Sequence, residues 1–292
     1  MAAAESAIRA ADVPATAGAA RRHDWRFIVG GVGVGIFVLA AIFAPVAAPY
    51  APNALDVAAR LDPPSSTHLL GTDQLGRDIL SRLLYGLRPS LEASLAAVAL
   101  AALGGTVLGL AAGYFGTWLD EIATRVLDLL IAWPSVFLGI AIVLVLGAGE
   151  SEIILAIGFA ELPVFARLVR SIALVNAASE HVEAARAMGA SHVRIMRVHI
   201  LPFVFLPMVV QFAIAAPQAL VAEAGLNYLG LGTQPPNPSL GAMVSEGQTY
   251  ISQSSGQVVF PVIVIALLVI CLTLIADGLQ DKLDPHRRRV LP

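Results

Sequence analysis

The chain has 292 residues, 57% hydrophobic and only 13% charged, with a mean hydropathy of +0.78 and a formal net charge of -3. Soluble domains carry about 25% charged residues, so an ordinary soluble domain is excluded, and the slightly acidic balance excludes the basic face of a nucleic-acid binder. Of 18 basic side chains only Lys282 is a lysine, and no Gly-rich loop ends in Gly-Lys-Ser/Thr, so the chain carries no Walker P-loop and cannot itself be an ATP-hydrolysing motor.

Residues 1–26 are Ala-rich and polar, with Arg9, Arg21, Arg22 and Arg26, and are expected to form a frayed tail. The run 27–49 is expected to be the first membrane-spanning helix. It exceeds the roughly 7–15 apolar residues of a signal-peptide core, so an uncleaved anchor is preferred. Gly31, Gly33 and Gly35 within it follow no strand; they are expected at a helix packing face, not in a dinucleotide fingerprint. Residues 50–90 are expected to be an extracytoplasmic loop. Within it Ile79, Leu80, Leu83, Leu84 and Leu87 keep helical spacing with Arg82 and Arg88 off that face, which predicts an interfacial amphipathic helix.

Further spans are predicted at about 91–112, 122–146, 153–169, 203–222 and 258–276, making an all-α membrane protein of six transmembrane helices. Residues 91–280 would form the transmembrane domain proper and 281–292 a second tail. On the second span Gly105, Gly109 and Gly113 form a ladder of small residues suited to close helix approach. The fourth is expected to be short, interrupted by Glu161 and Pro163. Basic residues concentrate in the first tail, from Arg167 to Arg197, and in the last tail at Lys282, Arg287, Arg288 and Arg289. The positive-inside rule therefore puts both termini and the 170–200 segment in the cytoplasm, and 225–257 outside. Arg60, Arg77, Arg82 and Arg88 in the 50–90 loop run against that bias unless acidic neighbours and local structure absorb them.

Between the fourth and fifth spans the chain reads Ser179-Glu180-His181-Val182-Glu183-Ala184-Ala185-Arg186-Ala187-Met188-Gly189-Ala190-Ser191. Ser179 is expected to cap a short helix, Gly189 to end it in the left-handed region, and Ser191 to cap a second short helix running to about Ile200, ahead of Pro202. That elbow would present Glu183, Arg186, Arg194 and Arg197 to a soluble partner. It resembles the EAA loop of ABC importer permeases: Glu-Ala-Ala at 183–185, Gly189 after three residues, then a Leu201-Pro202 ending, with His199 where an aliphatic residue is usual.

Other segments extend the resemblance to the C-type permease subunit of dipeptide, oligopeptide and nickel ABC importers. His68-Leu69-Leu70-Gly71-Thr72-Asp73-Gln74-Leu75-Gly76-Arg77-Asp78 looks like that family's signature after the first helix. The run from Glu223 through Gly230 and Gly232 to Pro235 and Pro236 is similar to its long external loop. Ala276-Asp277-Gly278 to Pro285 resembles its cytoplasmic end. The resemblance covers about His68 to Arg288; Leu162, standing where the family usually has an aromatic residue before Pro163, departs from it. It implies a bacterial inner-membrane permease, multi-pass and surrounded by lipid. Its implied partners are a second homologous permease chain, two cytoplasmic ATPases and an extracytoplasmic substrate-binding protein. ATP and magnesium would sit on the ATPases, with no cofactor, metal or catalytic residue in this chain and no nucleic acid bound.

On this reading Glu183, Ala184, Ala185, Arg186, Gly189, Ser191 and Pro202 couple to the ATPases. Gly71, Thr72, Asp73, Gly76, Arg77, Asp78, Glu223, Gly230, Gly232, Pro235 and Pro236 are structural signature positions. Peptides are the expected cargo, with nickel or glutathione as alternatives within the family. Asp128, Glu161 and Glu223 in spanning segments keep an ion-coupled carrier in view; Asp128 and Glu223 are expected near helix ends, where solvent or helix pairing explains them. Asp73 and Asp78 alone make a poor calcium site, and His181, His192 and His199 lack a His-Glu-x-x-His arrangement for a zinc enzyme.

Overall fold

A computed structural model describes residues 18–283. Arg9 and Arg287–Arg289 of the expected tails fall outside that range. Among the described residues the chain is helical apart from loops and one antiparallel bridge, Thr72 to Asp78.

Helix α1 spans Gly18–Ile42 and the short α2 Ala44–Ala47. Helix α3 spans Ile79–Phe115, 37 residues without a break. The amphipathic helix expected before residue 90 is therefore the opening of the same helix as the second span. Pro89 costs it one backbone hydrogen bond but does not stop it. The expected span at 122–146 is two helices, α4 Thr117–Ile131 and α5 Ser135–Leu146, bent by 96°. Pro134 is the cause: it fixes its own φ at -56°, lacks an N–H, and pushes Trp133 out of helical geometry. Helix α6, Glu150–Ala177, corrects the expectation of a short interrupted span, since it runs through both Glu161 and Pro163 for 28 residues.

Helix α7 is Glu180–Ala187 and α8 His192–Arg194. A π-helical stretch, Ile195–Ile200, leads from α8 without a turn into α9, Leu201–Tyr228. Helices α10, Leu240–Gln248, and α11, Gly256–Leu283, complete the described chain. Four helical stretches (α1, α3, the run His192–Tyr228, and α11) are long and apolar enough to cross a membrane, or five spans if the bent α4–α5 pair counts as one. Helix α6 is not among them; it carries Glu150, Glu152, Glu161, Arg167 and Arg170.

Glycine sets the packing. A Cβ on Gly105 would sit 2.6 Å from the Phe165 Cβ, one on Gly109 2.5 Å from the Ala166 carbonyl oxygen, and one on Gly113 2.6 Å from the Ala173 Cβ. The expected small-residue ladder is thus the seam between α3 and α6, the most extensive helix pair among the described residues. Because both sets of numbers ascend together, the two helices run parallel, and α4–α5 must carry the chain back between them. Helices α1 and α11 run antiparallel: a Cβ on Gly33 would strike the Cys271 Sγ and one on Gly278 would meet the Phe27 Cβ at 2.7 Å, while Gly31 and Gly35 face open space. The described ends of the chain therefore meet, with the Lys282 ammonium 4.6 Å from the centre of the Phe27 ring.

Candidate functional site

Three features stand out: an elbow at one end of the bundle, a charged knot at the other, and a cavity between.

The elbow is built by local rules. At the end of α7, Gly189 takes φ +80°, its N–H donates to the Arg186 carbonyl at 3.0 Å, and the Ala190 N–H donates to the Ala185 carbonyl at 3.1 Å. These are the paired bonds of a Schellman stop, which only glycine adopts without backbone strain. Ser191 then caps α8 by accepting from the Arg194 N–H at 3.4 Å. Ser179, expected to cap α7, does not; its hydroxyl donates to the Asn176 carbonyl. Val182 and Ala185 are buried with Val169, Ala173, Ile195, Ile200 and Val204, so the inner face is part of the core. Pro202 is the second residue of α9, directly after the π-helical stretch, where its missing N–H leaves one carbonyl of that stretch without its helical donor.

The outer face presents Glu183, Ala184, Arg186, Met188, Gly189, Val193, Arg194, Arg197 and Val198, all exposed, with Met188 82% exposed. This mixes charge with bare apolar surface, as an interface does. The elbow is also tied to α3. The Tyr114 hydroxyl lies 2.8 Å from His192 Nδ1, and the Arg186 guanidinium stands 5.6 Å over the Tyr114 ring. His181 and His199 face each other with ring centroids 6.3 Å apart, while His192 is 5.7 Å from Phe115, so the three histidines divide between two aromatic contacts.

At the opposite end the signature 68–78 folds into a knot. Asp73 Oδ1 accepts from the Leu75 and Arg77 N–H groups at 2.8 and 2.9 Å, and its Oδ2 accepts from Arg77 Nε at 2.5 Å. Asp78 caps α3, accepting from the Ser81 N–H and hydroxyl at 2.8 Å, with His68 Nδ1 2.9 Å away. The Thr72 hydroxyl donates to the Ala59 carbonyl and accepts from the Asp62 N–H. Gly71 and Gly76 take φ +79° and +74°; a Cβ on Gly76 would strike the Asp56 carbonyl. Both aspartates are spent on internal donors, as a structural role requires.

Sequence reading missed the centre of this knot. Arg82, expected off the buried face, is 1% exposed. Its Nη2 lies 3.1 Å from Glu246 Oε2, its Nε 3.6 Å from Asp73 Oδ2, and Arg77 Nη2 reaches the same Glu246 oxygen at 2.6 Å. Two arginines and two carboxylates thus clasp the start of α3 to α10. The available signal was that Glu246 is the lone charged residue between Glu223 and Asp277.

Of the two explanations expected for Glu223, solvent is excluded and pairing holds. It is wholly buried, five residues before the end of α9, and pairs within that helix. Its Oε1 accepts from Asn227 Nδ2 at 2.6 Å, and Asn227 Oδ1 in turn accepts from the Thr233 N–H at 2.7 Å. This fixes the turn where Gly230 has φ +77° and where a Cβ on Gly232 would meet Ile153 and Asn227. Pro235 and Pro236 follow in the loop that returns to α10. Asp128 does find a helix partner, Arg167, as expected. Asp120 pairs likewise with Arg170.

Between the two ends lies a cavity of about 800 Å³, walled by α5, α6, α9 and α11. Its lining is mostly apolar, with Ser135, Glu161, Gln218, Thr273, Asp277 and Gln280 as polar members; no lysine, arginine or histidine borders it.

Residues 105–289 match the family described as binding-protein-dependent transport system inner membrane component, and residues 22–64 match the N-terminal TM domain of oligopeptide transport permease C. The chain is 41% identical over 261 residues to the dipeptide transport system permease protein DppC of Alkalihalophilus pseudofirmus, covering 89% of this chain and 86% of that one. It is also 41% identical over 272 residues to the glutathione transport system permease protein GsiD of Pectobacterium atrosepticum, covering 90% of each. A chain of the MetNI methionine ABC transporter, solved in inward-facing conformations, superposes with a TM-score of 0.56 at 18% identity, over 70% of this chain and 96% of that one, and so shares the fold.

Proposed function

The chain belongs to the family of binding-protein-dependent transport system inner membrane components, and on that premise we propose that it forms half of a peptide-conducting pathway driven through the elbow at Gly189. It is an integral inner-membrane permease subunit of an ABC importer. ATP is then hydrolysed by separate cytoplasmic subunits, a second permease chain completes the path, and an extracytoplasmic binding protein delivers the cargo.

The observation that carries the coupling role is the elbow's two faces. Val182 and Ala185 are locked into the core that continues α6 and α9, while the opposite face leaves Glu183, Arg186, Met188 and Val193 bare. A partner pushing on that face moves two long helices as one body. Counting α6 as a further crossing makes six in this reading, since it is parallel to α3 and, at 28 residues, reaches about 42 Å. Even passage counts then bring both described ends and the elbow to one side, which the arginine bias assigns to the cytoplasm. Peptides are the cargo the sequence relatives favour, with glutathione, itself a tripeptide, in the same class.

Gly189→Val tests the coupling. A Cβ there meets nothing within 4 Å, so the cost is backbone strain at φ +80° alone. Uptake and cargo-stimulated ATPase activity should fall to background while membrane insertion persists; Gly189→Asn, which tolerates that region, should keep most of the activity. Full coupled uptake in the valine variant would remove the elbow from the mechanism. Uptake that continues without ATP but collapses with the proton gradient would replace the importer by an ion-coupled carrier.

A further inference from the structure

We propose that Glu161 is a cargo-facing carboxylate that biases the path toward substrates bearing positive charge; this rests on the importer reading above and gives it a substrate class.

Glu161 lies eleven residues after Glu150 on α6, about 17 Å along the helix axis, within the apolar stretch that holds Ile153, Ile157 and Phe165. The other helix carboxylates considered above find partners: Asp120 pairs with Arg170, Asp128 with Arg167, and Glu223, through one of its oxygens, with Asn227. Glu161 has no hydrogen-bond or ion-pair partner among the described residues. Instead it borders the cavity of about 800 Å³. An ionisable group kept at that depth without a partner marks a pathway, because an unpaired charge in low dielectric is costly until a counter-charge arrives.

The walls say which sign of cargo they favour. Asp277 is the other charged residue of the lining, and the remaining polar groups are neutral. An ammonium or guanidinium passing Glu161 gains an attraction strengthened by the surrounding apolar walls. A carboxylate passing the same point meets two like charges and no cation. A structural alternative, a contact with the second permease chain, would make Glu161 matter equally for every cargo.

The test uses the complete importer, with both permeases, its ATPases and its binding protein, and the dipeptides Ala-Lys, Ala-Ala and Ala-Glu. For each, uptake by Glu161→Gln is divided by uptake by the unaltered complex, which cancels the binding protein's own preference. The ratio for Ala-Lys should fall roughly fivefold or more below that for Ala-Ala, with Ala-Glu unchanged or raised, and Glu161→Asp should restore the order. Equal ratios for all three overturn the proposal and leave the importer reading standing.

If the unaltered complex moves none of the three, the peptide reading fails, and a second measurement decides the proposal. Thr273→Cys, on the same cavity wall in a Cys271→Ala background, is modified with cationic and anionic methanethiosulfonates. The cationic-to-anionic rate ratio should drop several-fold on adding Glu161→Gln. An unchanged ratio overturns the proposal.

Discussion

Arg82 shows how far one side chain reaches in this fold. It is buried, paired with Glu246 from 164 positions later, and shares Asp73 with Arg77. Stranding one member of a buried charge pair typically costs about 3–5 kcal/mol; here Arg77 still holds both Glu246 and Asp73, so the loss should fall below that range. Arg82→Leu should therefore lower the thermal midpoint of the detergent-purified complex by several degrees. Adding Glu246→Leu should recover part of that loss. Arg88→Ala is the control: its pair with Glu92 is 68% and 57% exposed, and such pairs contribute about 0–1 kcal/mol. The same cluster explains the basic loop that contradicted the charge bias, since Arg77 and Arg82 are neutralised internally. Only a lone acidic residue in a distant loop hinted at this, and nothing local ties Glu246 to Arg82. The turn at Gly189, by contrast, was readable from the sequence, because a Schellman stop is decided within six positions, whereas the Ser179 cap and a separate helix ending near Ile200 were not borne out.

At the scale of elements, close approach of small residues does what hydrophobic burial does in water, since lipid tails are as apolar as any side chain. The α3–α6 seam should accordingly be intolerant of a single methyl group. Gly109→Ala places a Cβ 2.5 Å from the Ala166 backbone oxygen, which cannot swing away. Gly31→Ala adds the same atom into open space. Blue-native electrophoresis and thermal unfolding should show the first variant destabilised by about 1–3 kcal/mol and the second unchanged. The glycine ladder was legible because its spacing is a helix property. Two other elements were not. Hydropathy averaged over 122–146 hides a break that Pro134 imposes, and the charges of α6 make a continuous helix look interrupted. In both cases backbone geometry, not mean apolarity, decided the outcome.

For the whole molecule, the parallel α3–α6 pair and the antiparallel α1–α11 pair leave the elbow and both described ends on one side. Single cysteines at Ala187 and Gln253, both exposed, in a Cys271→Ala background should then label from opposite faces with a membrane-impermeant maleimide. In intact spheroplasts Gln253→Cys should react and Ala187→Cys should react only after permeabilisation. Labelling of both from the same face would refute the six-crossing arrangement.

Helix α3 joins two of the features described above. One end holds Tyr114 against His192 beside the elbow, the other holds Arg82 in the clasp with α10, and at 37 residues it is about 55 Å long. That length exceeds a hydrocarbon core of roughly 30 Å, so the helix is long enough for both of its ends to stand clear of the lipid. Thermodynamic reciprocity then applies to it: if engagement of a nucleotide-loaded partner at the elbow shifts the clasp, a docking protein that prefers the shifted clasp must tighten the grip at the elbow by the same factor. The outer knot would thus serve as a sensing surface as well as a fastening, reporting across the bilayer that cargo has arrived.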